Sequence, residues 1–406
     1  MARDNAVPMP RRQTTKKKTK APMGLRRWIN VSNGFDMQFF VLLMIILIIG
    51  LATLYSASHV YAFNYNDGDS FFFIRKQLLW AAIGLVGMLV VSVIDYHLLH
   101  RFAWILWFIS IIFLLLTLVM PTQTGIRRWL HIGPLSFQPS EIAKFALVLL
   151  FAHLISLNHK RMKTFTKGFL PLGILLGFTC LLGVVEPHLS GTMLIVLLGA
   201  AMMFVGGVRT GWLVGIGIGG IALVVLMVVV MGYEKDRIDV WLHPLESFAN
   251  EIVFEDGISG RDHAWQTMQS LYAIGSGGLL GQGPGNSRQK HLFLPEPQND
   301  FIFSIFCEEM GFVGAVIVLL LFAWLVWRGM RIALKAPDKF GCMLALGLTL
   351  QIGIQVAINV AVVANLMPNT GISLPFFSYG GTSILMLMLQ MGVVLSISRQ
   401  SRMEKI

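Results

Sequence analysis

The sequence predicts an all-α polytopic membrane protein with about ten transmembrane helices and a large extracytoplasmic loop between the seventh and the eighth. Hydrophobic residues make up 55% of the 406 positions and charged residues only 13%, whereas an average soluble domain is about 25% charged. Apolar runs close to the length that a bilayer requires recur along the chain. A soluble core could not bury this much apolar surface, so the composition excludes an ordinary soluble protein.

Ten apolar runs give the predicted spans, in chain order: 37–57, 77–95, 102–120, 140–158, 168–186, 189–206, 211–232, 300–327, 340–366 and 381–398. Each is long enough to satisfy its backbone hydrogen bonds as a membrane helix. They divide the chain into a basic cytoplasmic tail (1–36), spans one to seven (37–232), the extracytoplasmic loop (233–299), spans eight to ten (300–398) and a cytoplasmic C-terminus (399–406).

The net charge of +11 is explained by where the cations lie. The first 27 residues hold nine of them: Arg3, Arg11, Arg12, Lys16, Lys17, Lys18, Lys20, Arg26 and Arg27. Cations next to membrane spans set orientation and attract anionic lipids, so the charge does not indicate a nucleic-acid partner. An even number of spans then places both termini in the cytoplasm and the loop 233–299 outside.

Two short segments on the predicted outer side depart from the pattern of positive inner loops: one holds Arg75 and Lys76, just before the second span, and the other holds Arg127 and Arg128. Arg127 and Arg128 adjoin Trp129 in the short segment before the fourth span. Such side chains can anchor a protein at the interface by snorkelling, or they can bind an anionic head group. We favour the second interpretation, because the pair adjoins Trp129 and an intramembrane lysine.

Several ionisable residues lie inside apolar runs, where such groups usually face a partner or a cavity. Glu141 and Lys144 lie three residues apart on one helix face; a structural ion pair and a substrate contact are equally good interpretations. For Glu308 and Glu309, pairing with another span is the preferred interpretation. Glu186, at the end of the fifth predicted span, is interpreted as a helix end with a polar cap.

The main chemical signal lies in the segment 269–311. A glycine-rich stretch comes first, and its backbone N–H groups could approach a phosphate closely. Arg288 and Lys290 follow, and then the carboxylates Glu296 and Asp300. Asp300 stands where the outer loop enters an apolar helix, so it could cap that helix or serve as a general base beside a cavity. Together these residues predict a site that holds a pyrophosphate and presents a base.

The segment 367–383, MPNTGISLPFFSYGGTS, carries no charge and is rich in Pro, Gly and hydroxyl side chains. Non-helical backbone at membrane depth is tolerated only where it is buried in protein or lines a cavity. We therefore predict a re-entrant cap over the site rather than a simple turn, with Ser378 as a candidate substrate contact.

Three motifs together resemble the SEDS family (shape, elongation, division and sporulation proteins), which includes FtsW, RodA and SpoVE. They are FQPSEIAK at 137–144, QSLYAIGSGGLLGQGPGNSRQKHLFLPEPQNDFIFSIFCEEMG at 269–311 and PNTGISLPFFSYGGTS at 368–383. RIDVWLHP at 237–244 and RRW at 127–129 also fit. The resemblance covers nearly the whole chain after residue 36, and it is closer to the division and sporulation branch than to the elongation branch.

The resemblance implies a peptidoglycan glycosyltransferase that polymerises lipid II at the outer face of the cytoplasmic membrane. It implies Asp300 as general base, with inversion at the donor carbon and undecaprenyl pyrophosphate as leaving group. Arg288, Lys290 and the Arg127–Arg128 pair are candidates for stabilising the pyrophosphate. Glu296 is a candidate orienting group or metal contact, since a divalent cation such as Mg²⁺ or Mn²⁺ could assist, although no clean ligand set is visible.

The family further implies a cognate class B penicillin-binding protein as partner, together with other division proteins at the septum. Three alternatives stay open: a lipid II flippase that uses the intramembrane charges, a non-enzymatic scaffold, and a RodA-type elongation polymerase. The outer position of the main motif favours a polymerase over a flippase. Two departures, His188 where many members carry Asp and PQN before Asp300, leave details of the site open.

Overall fold

The computed structural model describes residues 34–119, 130–132, 135–185, 189–231, 235–249 and 260–401, and within these ranges the chain is mainly helical. The helices are α1 (Met37–Tyr65), α2 (Phe72–Val93), α3 (His97–Val119), α4 (Pro139–Asn158), α5 (Leu170–Val185), α6 (Leu189–Val205), α7 (Thr210–Met231), α8 (Lys235–Leu242), α9 (Pro244–Ala249), α10 (Gly260–Gly277), α11 (Ile302–Leu334), α12 (Lys339–Val363) and α13 (Gly381–Gln400). Two short antiparallel strands, β1 (Leu130–Ile132) and β2 (Leu135–Phe137), pair before α4. A 3₁₀ turn (His159–Arg161) and a π-helical turn (Phe165–Phe169) connect α4 to α5.

Eight helices, α1 to α5 and α11 to α13, are long and apolar enough to cross a membrane. The predicted all-α polytopic membrane fold is confirmed, apart from the two short strands. α6 and α7 coincide with the sixth and seventh predicted spans, and the count of ten spans stays a prediction. So does the division into domains, since most of the tail 1–36 and residues 402–406 lie outside the described ranges.

The centre of the bundle is formed by α4, α12 and α13. About two-thirds of the apolar stretch of each is buried inside the protein (67%), whereas the corresponding value for the other five long helices is 28–44%. The peripheral helices therefore offer most of their surface to lipid, and polar groups on the central helices must find partners within the protein.

Both described ends of the chain meet at one face of the bundle, which we call the terminal face. The Asp36 carboxylate caps α1 through the Phe39 N–H (2.9 Å) and forms a buried ion pair with Arg328 near the end of α11 (2.8 Å). The Asp36 N–H donates to the Ser398 hydroxyl near the end of α13 (3.0 Å). Helices α8 to α10 and the segment that follows them lie at the opposite face, which we call the loop face.

The eighth predicted span is broken. Helix α11 runs from Ile302 to Leu334, but Gly311 has φ 66° and ψ −171°, which no α-helix accommodates. The structure also differs from the prediction in the segment 233–299, where much of the predicted loop is helical, in α8, α9 and α10. Periodicity did not reveal the break, because the residues on either side continue the same apolar helical run.

Candidate active site

The glycine-rich stretch packs against the break in α11. We call its residues 278–283 the clamp segment. The two N–H groups after the break, those of Phe312 and Val313, donate to carbonyls of the clamp segment at 2.9 and 3.1 Å. The two carbonyls before the break, those of Glu308 and Glu309, accept from N–H groups of the same segment, both at 3.0 Å. The hydrogen bonds that α11 loses at the break are thus replaced within the protein, as membrane depth requires.

Glycine is needed where the two backbones approach most closely. Gly281 has φ +80°, and a Cβ there would lie 2.2 Å from the Glu309 carbonyl oxygen. A Cβ on Gly311 would lie 2.2 Å from the Gly281 nitrogen. The glycines were expected to bring backbone N–H groups to a phosphate, but in the clamp segment they serve close packing on α11 instead.

Beyond the clamp segment, a buried carboxylate of α11 holds the loop 284–290. Glu308 is fully buried and accepts from the Ser287 hydroxyl at 2.5 Å and from the N–H groups of Arg288 and Gln289 at 3.0 and 3.3 Å. Arg288 itself is exposed. The loop therefore fixes the backbone of Arg288 and leaves its guanidinium at the surface, where the sequence predicted a substrate contact.

Lys290 lies inside the protein, with its side chain 1% exposed. Its ammonium forms an ion pair with Glu309 (3.0 Å) and donates to the Gly285 carbonyl (2.6 Å) and the Ser56 hydroxyl (3.2 Å). The sequence predicted pairing of Glu309 with another span. Its ion-pair partner lies instead in the loop before α11, and its contact with a span is the hydrogen bond from Ser56 of α1. All three donors of the ammonium have partners, so a direct contact of Lys290 with substrate stays a prediction that would require these partners to be exchanged.

Asp300 is half-buried at the loop face, two residues before α11 begins. Its carboxylate lies beside Gly371, where an added Cβ would be 3.1 Å from Oδ2. Its carbonyl accepts from the side-chain amide of Asn359 (2.8 Å), and the same amide donates to the Ile372 carbonyl (2.7 Å). Asn359 of α12 therefore joins the backbone of Asp300 to the segment beside it. The N-cap interpretation is wrong, because Phe301 and not Asp300 holds the cap position of α11.

Residues 364–380, which we call the cap loop, connect α12 to α13 without helical structure. Two buried glutamines from other helices hold its backbone. Gln77 of α2 donates to the Ser378 carbonyl (3.2 Å) and accepts from the Gly380 N–H (3.1 Å). Gln355 of α12 donates to the Ser373 carbonyl (3.0 Å). The cap loop is thus folded against the bundle beside Asp300, as a re-entrant cap requires.

The hydroxyl of Ser378 shapes the cap loop. It is buried and accepts from the Leu374 N–H (2.8 Å), so its contact with substrate stays a prediction. Next to it, the Tyr379 N–H donates to the Gln298 carbonyl (2.9 Å), which ties the cap loop to the residues just before Asp300.

Glu296 is exposed on the approach to Asp300, with a positive φ of 44°. Its carboxylate accepts from the Asn299 amide (2.8 Å) and lies within electrostatic reach of the Tyr61 phenol. Among the residues that the structure describes, no three His, Cys, Asp or Glu side chains come together as a metal site. The roles of Glu296 as orienting group or metal contact stay predictions.

Glu141 and Lys144 form a buried ion pair at 2.6 Å on the first turns of α4. Glu141 Oε2 has no hydrogen-bond partner within the described parts of the chain. The two side chains are thus paired with each other within α4, and both predicted roles, a structural ion pair and a substrate contact, stay predictions.

The whole transmembrane region matches a known family. Residues 36–403 fit the model of the FtsW/RodA/SpoVE family, whose description is "Cell cycle protein". The chain belongs to this family.

Relatives and solved structures agree with this membership. The chain is 41% identical to Stage V sporulation protein E of Bacillus subtilis (strain 168) over 371 residues, which cover 90% of this chain and 98% of that protein. It is 35% identical to a probable peptidoglycan glycosyltransferase FtsW of Geobacter sp. (strain M18), over 91% of this chain and 98% of that protein.

Two solved structures share the family fold. One is a chain of a peptidoglycan synthase complex that coordinates polymerization and crosslinking (TM-score 0.73, 25% identity, 91% of this chain and 99% of that chain). The other is the rod shape determining protein RodA of Thermus thermophilus (TM-score 0.63, 26% identity, 91% and 98%). This member of the FtsW/RodA/SpoVE family is therefore an integral membrane protein.

Some predicted residues of this family member lie outside the described ranges. They include the Arg127–Arg128 pair and the segment with Glu186 and His188. Their predicted roles stay predictions. The structure brings Arg288, Glu296 and Asp300 to the loop face.

Three buried amides that hold the candidate site together were not predicted from the sequence: Gln77, Gln355 and Asn359. Each is buried in an apolar helix and donates to backbone carbonyls of the cap loop. The sequence does carry a signal for them. An amide side chain within a membrane span is costly unless it is paired inside the protein, so its presence there indicates a buried partner. The spacing of Gln355 and Asn359 by four residues also places them on one face of α12.

Proposed function

We propose that this chain is a peptidoglycan glycosyltransferase that polymerises lipid II at the outer face of the cytoplasmic membrane. Support comes from relatives named probable peptidoglycan glycosyltransferase FtsW and from the match to a chain of a peptidoglycan synthase complex. The observation that carries the proposal is the position of Asp300, a half-buried carboxylate at the loop face whose backbone is fixed by Asn359. A base at that depth can meet a sugar whose lipid anchor stays in the membrane.

In this mechanism Asp300 accepts the proton of an acceptor sugar hydroxyl while that oxygen attacks the anomeric carbon of the donor. The new glycosidic bond forms as the bond to the pyrophosphate oxygen breaks, and undecaprenyl pyrophosphate leaves with the electron pair. In-line attack inverts the anomeric centre. Gly371 leaves space beside the carboxylate, since even a methyl group there would contact Oδ2 at 3.1 Å.

Cationic side chains would stabilise the charge on the leaving pyrophosphate. Arg288 is exposed on a loop whose backbone is fixed, and a planar guanidinium binds phosphate oxygens in a bidentate way. The Arg127–Arg128 pair is proposed to bind the same group. Glu296 is proposed to orient the acceptor sugar through its carboxylate.

A divalent cation stays a candidate cofactor, and Mg²⁺ and Mn²⁺ commonly neutralise substrate phosphates. The residues in the described part of the chain do not fit a resident metal site, because Glu296 and Asp300 lack a third protein ligand. No step of the proposed reaction is therefore assigned to a metal ion.

The loop face is proposed to lie outside and the terminal face in the cytoplasm. The segment between α4 and α5 carries four cations, Lys160, Arg161, Lys163 and Lys167, and short cationic loops remain inside. The relatives support a role in septal wall synthesis or sporulation. A class B penicillin-binding protein is proposed as the partner that cross-links the glycan, and other division proteins as further partners.

The test is to incubate the purified protein, alone and with a penicillin-binding partner, with lipid II and to follow glycan chains on a gel. We expect glycan from the protein that carries Asp300. Transport of lipid II across proteoliposomes without any glycan would establish a flippase instead. Neither activity, with the partner bound, would indicate a scaffold.

A further inference from the structure

The loop that carries Arg288 needs an anchor beyond the helix break. The clamp segment ends at Gly283, so its backbone bonds to α11 stop five residues before Arg288. Side chains of α11 and α1 reach into the loop 284–290 instead. A mobile loop would lose conformational entropy each time its arginine met a substrate, so this anchoring bears on binding.

We propose that Glu308 and the Lys290–Glu309 ion pair are positioning groups that hold the loop 284–290 against the bundle and so aim the Arg288 guanidinium at the pyrophosphate of the substrate. This inference rests on the proposed function. It gives Lys290 a role different from that of a direct phosphate ligand.

Glu308 holds the loop through four hydrogen bonds. One carboxylate oxygen accepts from the Arg288 N–H (3.0 Å) and the Ser276 hydroxyl (3.3 Å). The other accepts from the Ser287 hydroxyl (2.5 Å) and the Gln289 N–H (3.3 Å). Four donors satisfy a fully buried carboxylate that has no ion-pair partner within the described ranges of the chain. Two of these donors are the backbone amides on either side of the Arg288 Cα, so Glu308 fixes the backbone direction of this residue.

Lys290 joins the two ends of the loop 284–290. Lys290, at its C-terminal end, donates to the carbonyl of Gly285 near its N-terminal end (2.6 Å), and this closes the loop on itself. The same ammonium is paired with Glu309, and the Ser56 hydroxyl of α1 donates to that carboxylate (2.6 Å). The closed loop is thus attached to two different membrane helices.

Burial decides between the two roles of Lys290. The side chains of the pair are 1% and 6% exposed, and the ammonium has three partners. A phosphate could reach it only after these bonds break and the loop opens. Arg288, by contrast, is exposed and its guanidinium is not needed to hold the loop. The cation that binds and the cation that positions are therefore two different residues.

The test compares three variants with the full-length wild type: Lys290→Met, Glu309→Leu and the double variant. Removal of one partner leaves a buried charge uncompensated, whereas removal of both leaves an apolar contact. We expect each single change to raise the KM for lipid II about tenfold or more and the double variant to return within about threefold of the wild type. Lys163→Met, at an exposed position between α4 and α5, is the matched control.

Hydrogen exchange of the peptide that covers 285–290 gives a second measurement that needs no activity. We expect faster exchange of this peptide in both single variants and in Glu308→Gln, and near wild-type exchange in the double variant. If the single variants fail to fold, Ser287→Ala removes one of the four donors to Glu308 and leaves every charged side chain in place, and it should also speed exchange there.

Unchanged exchange in Ser287→Ala, Glu308→Gln and the single variants would overturn the proposal. So would a double variant as inactive as Lys290→Met, because a direct phosphate ligand is not rescued by removal of Glu309. Wild-type protein that makes no glycan would refute the proposed function alone, and the exchange data would still decide whether these groups hold the loop.

Discussion

Replacement of Asn359 by leucine tests how the site is assembled. The side-chain amide of Asn359 donates to the carbonyls of Asp300 (2.8 Å) and Ile372 (2.7 Å), and the residue is fully buried. Leucine has nearly the same shape and removes both bonds. A buried acceptor left without a partner costs about 1–3 kcal/mol, so Asn359→Leu should lower the free energy of opening of the cap loop by at least about 2 kcal/mol.

Such a loss corresponds to about a 30-fold larger population of open cap loop. Hydrogen exchange of the peptide that covers 371–380 should speed up by this factor, since exchange in the native state reports local opening. The kcat for glycan formation should fall as well, because the Asp300 backbone loses its tie to α12. Gln351→Met is the matched control: Gln351 lies on the same helix, equally buried, and its amide has no hydrogen-bond partner among the described residues.

The two variants should therefore behave differently although both remove a buried amide from α12. Unchanged exchange in Asn359→Leu would refute the view that this amide holds the cap loop. Equal acceleration in both variants would show that any polar change in α12 loosens the loop, and it would contradict the specific role of Asn359.

Three further perturbations test other parts of the account. Gly281→Ala should abolish stable folding or activity, because its Cβ would lie 2.2 Å from a backbone oxygen of α11. Gly275→Ala is the control and should be tolerated, because the space around Gly275 is open. Equal expression and activity of the two variants would contradict the close packing at Gly281. Asp36→Asn keeps a capping side chain but removes the ion-pair partner of Arg328. It should lower the free energy of unfolding by about 3 kcal/mol and lower the thermal midpoint, with little effect on activity per folded molecule. An unchanged thermal midpoint would show that the ion pair does not stabilise the fold. Arg288→Ala should raise the KM for lipid II about tenfold with an unchanged midpoint, because its side chain is exposed; an unchanged KM would remove it from the binding site.

The membrane fold could be predicted because apolar runs report directly on the solvent that surrounds each helix. The runs located α1 to α5 and α11 to α13, as well as helices at the sixth and seventh predicted spans. The re-entrant character of the cap loop also followed from one physical rule, since uncharged non-helical backbone must be buried in protein at that depth. Asp300 and Arg288 were located from residue type and from the position of the loop relative to the span.

The break at Gly311 and the burial of Lys290 could not be predicted in the same way. The break depends on four hydrogen bonds to the clamp segment, whose partners are about 30 residues away in the chain. The glycines there fit a phosphate-binding stretch and a close helix contact equally well. Arg288 and Lys290 are two residues apart in the sequence, yet Arg288 is exposed and Lys290 is buried. The loop between α10 and α11 is irregular, so no periodicity in the sequence indicates which side chain is buried.

The most direct test of the central claim, that Asp300 is the general base, is the steady-state kinetics of Asp300→Asn on lipid II. Asparagine preserves size and cannot accept the proton, so kcat should fall by about 10² to 10⁴ with little change in KM or thermal midpoint. Asp67→Asn, an exposed aspartate whose positive φ of 51° asparagine also adopts, should match the wild type. An Asp300→Asn protein that makes glycan at the wild-type rate would contradict the role of Asp300 as general base, and Glu296 would become the candidate for that role.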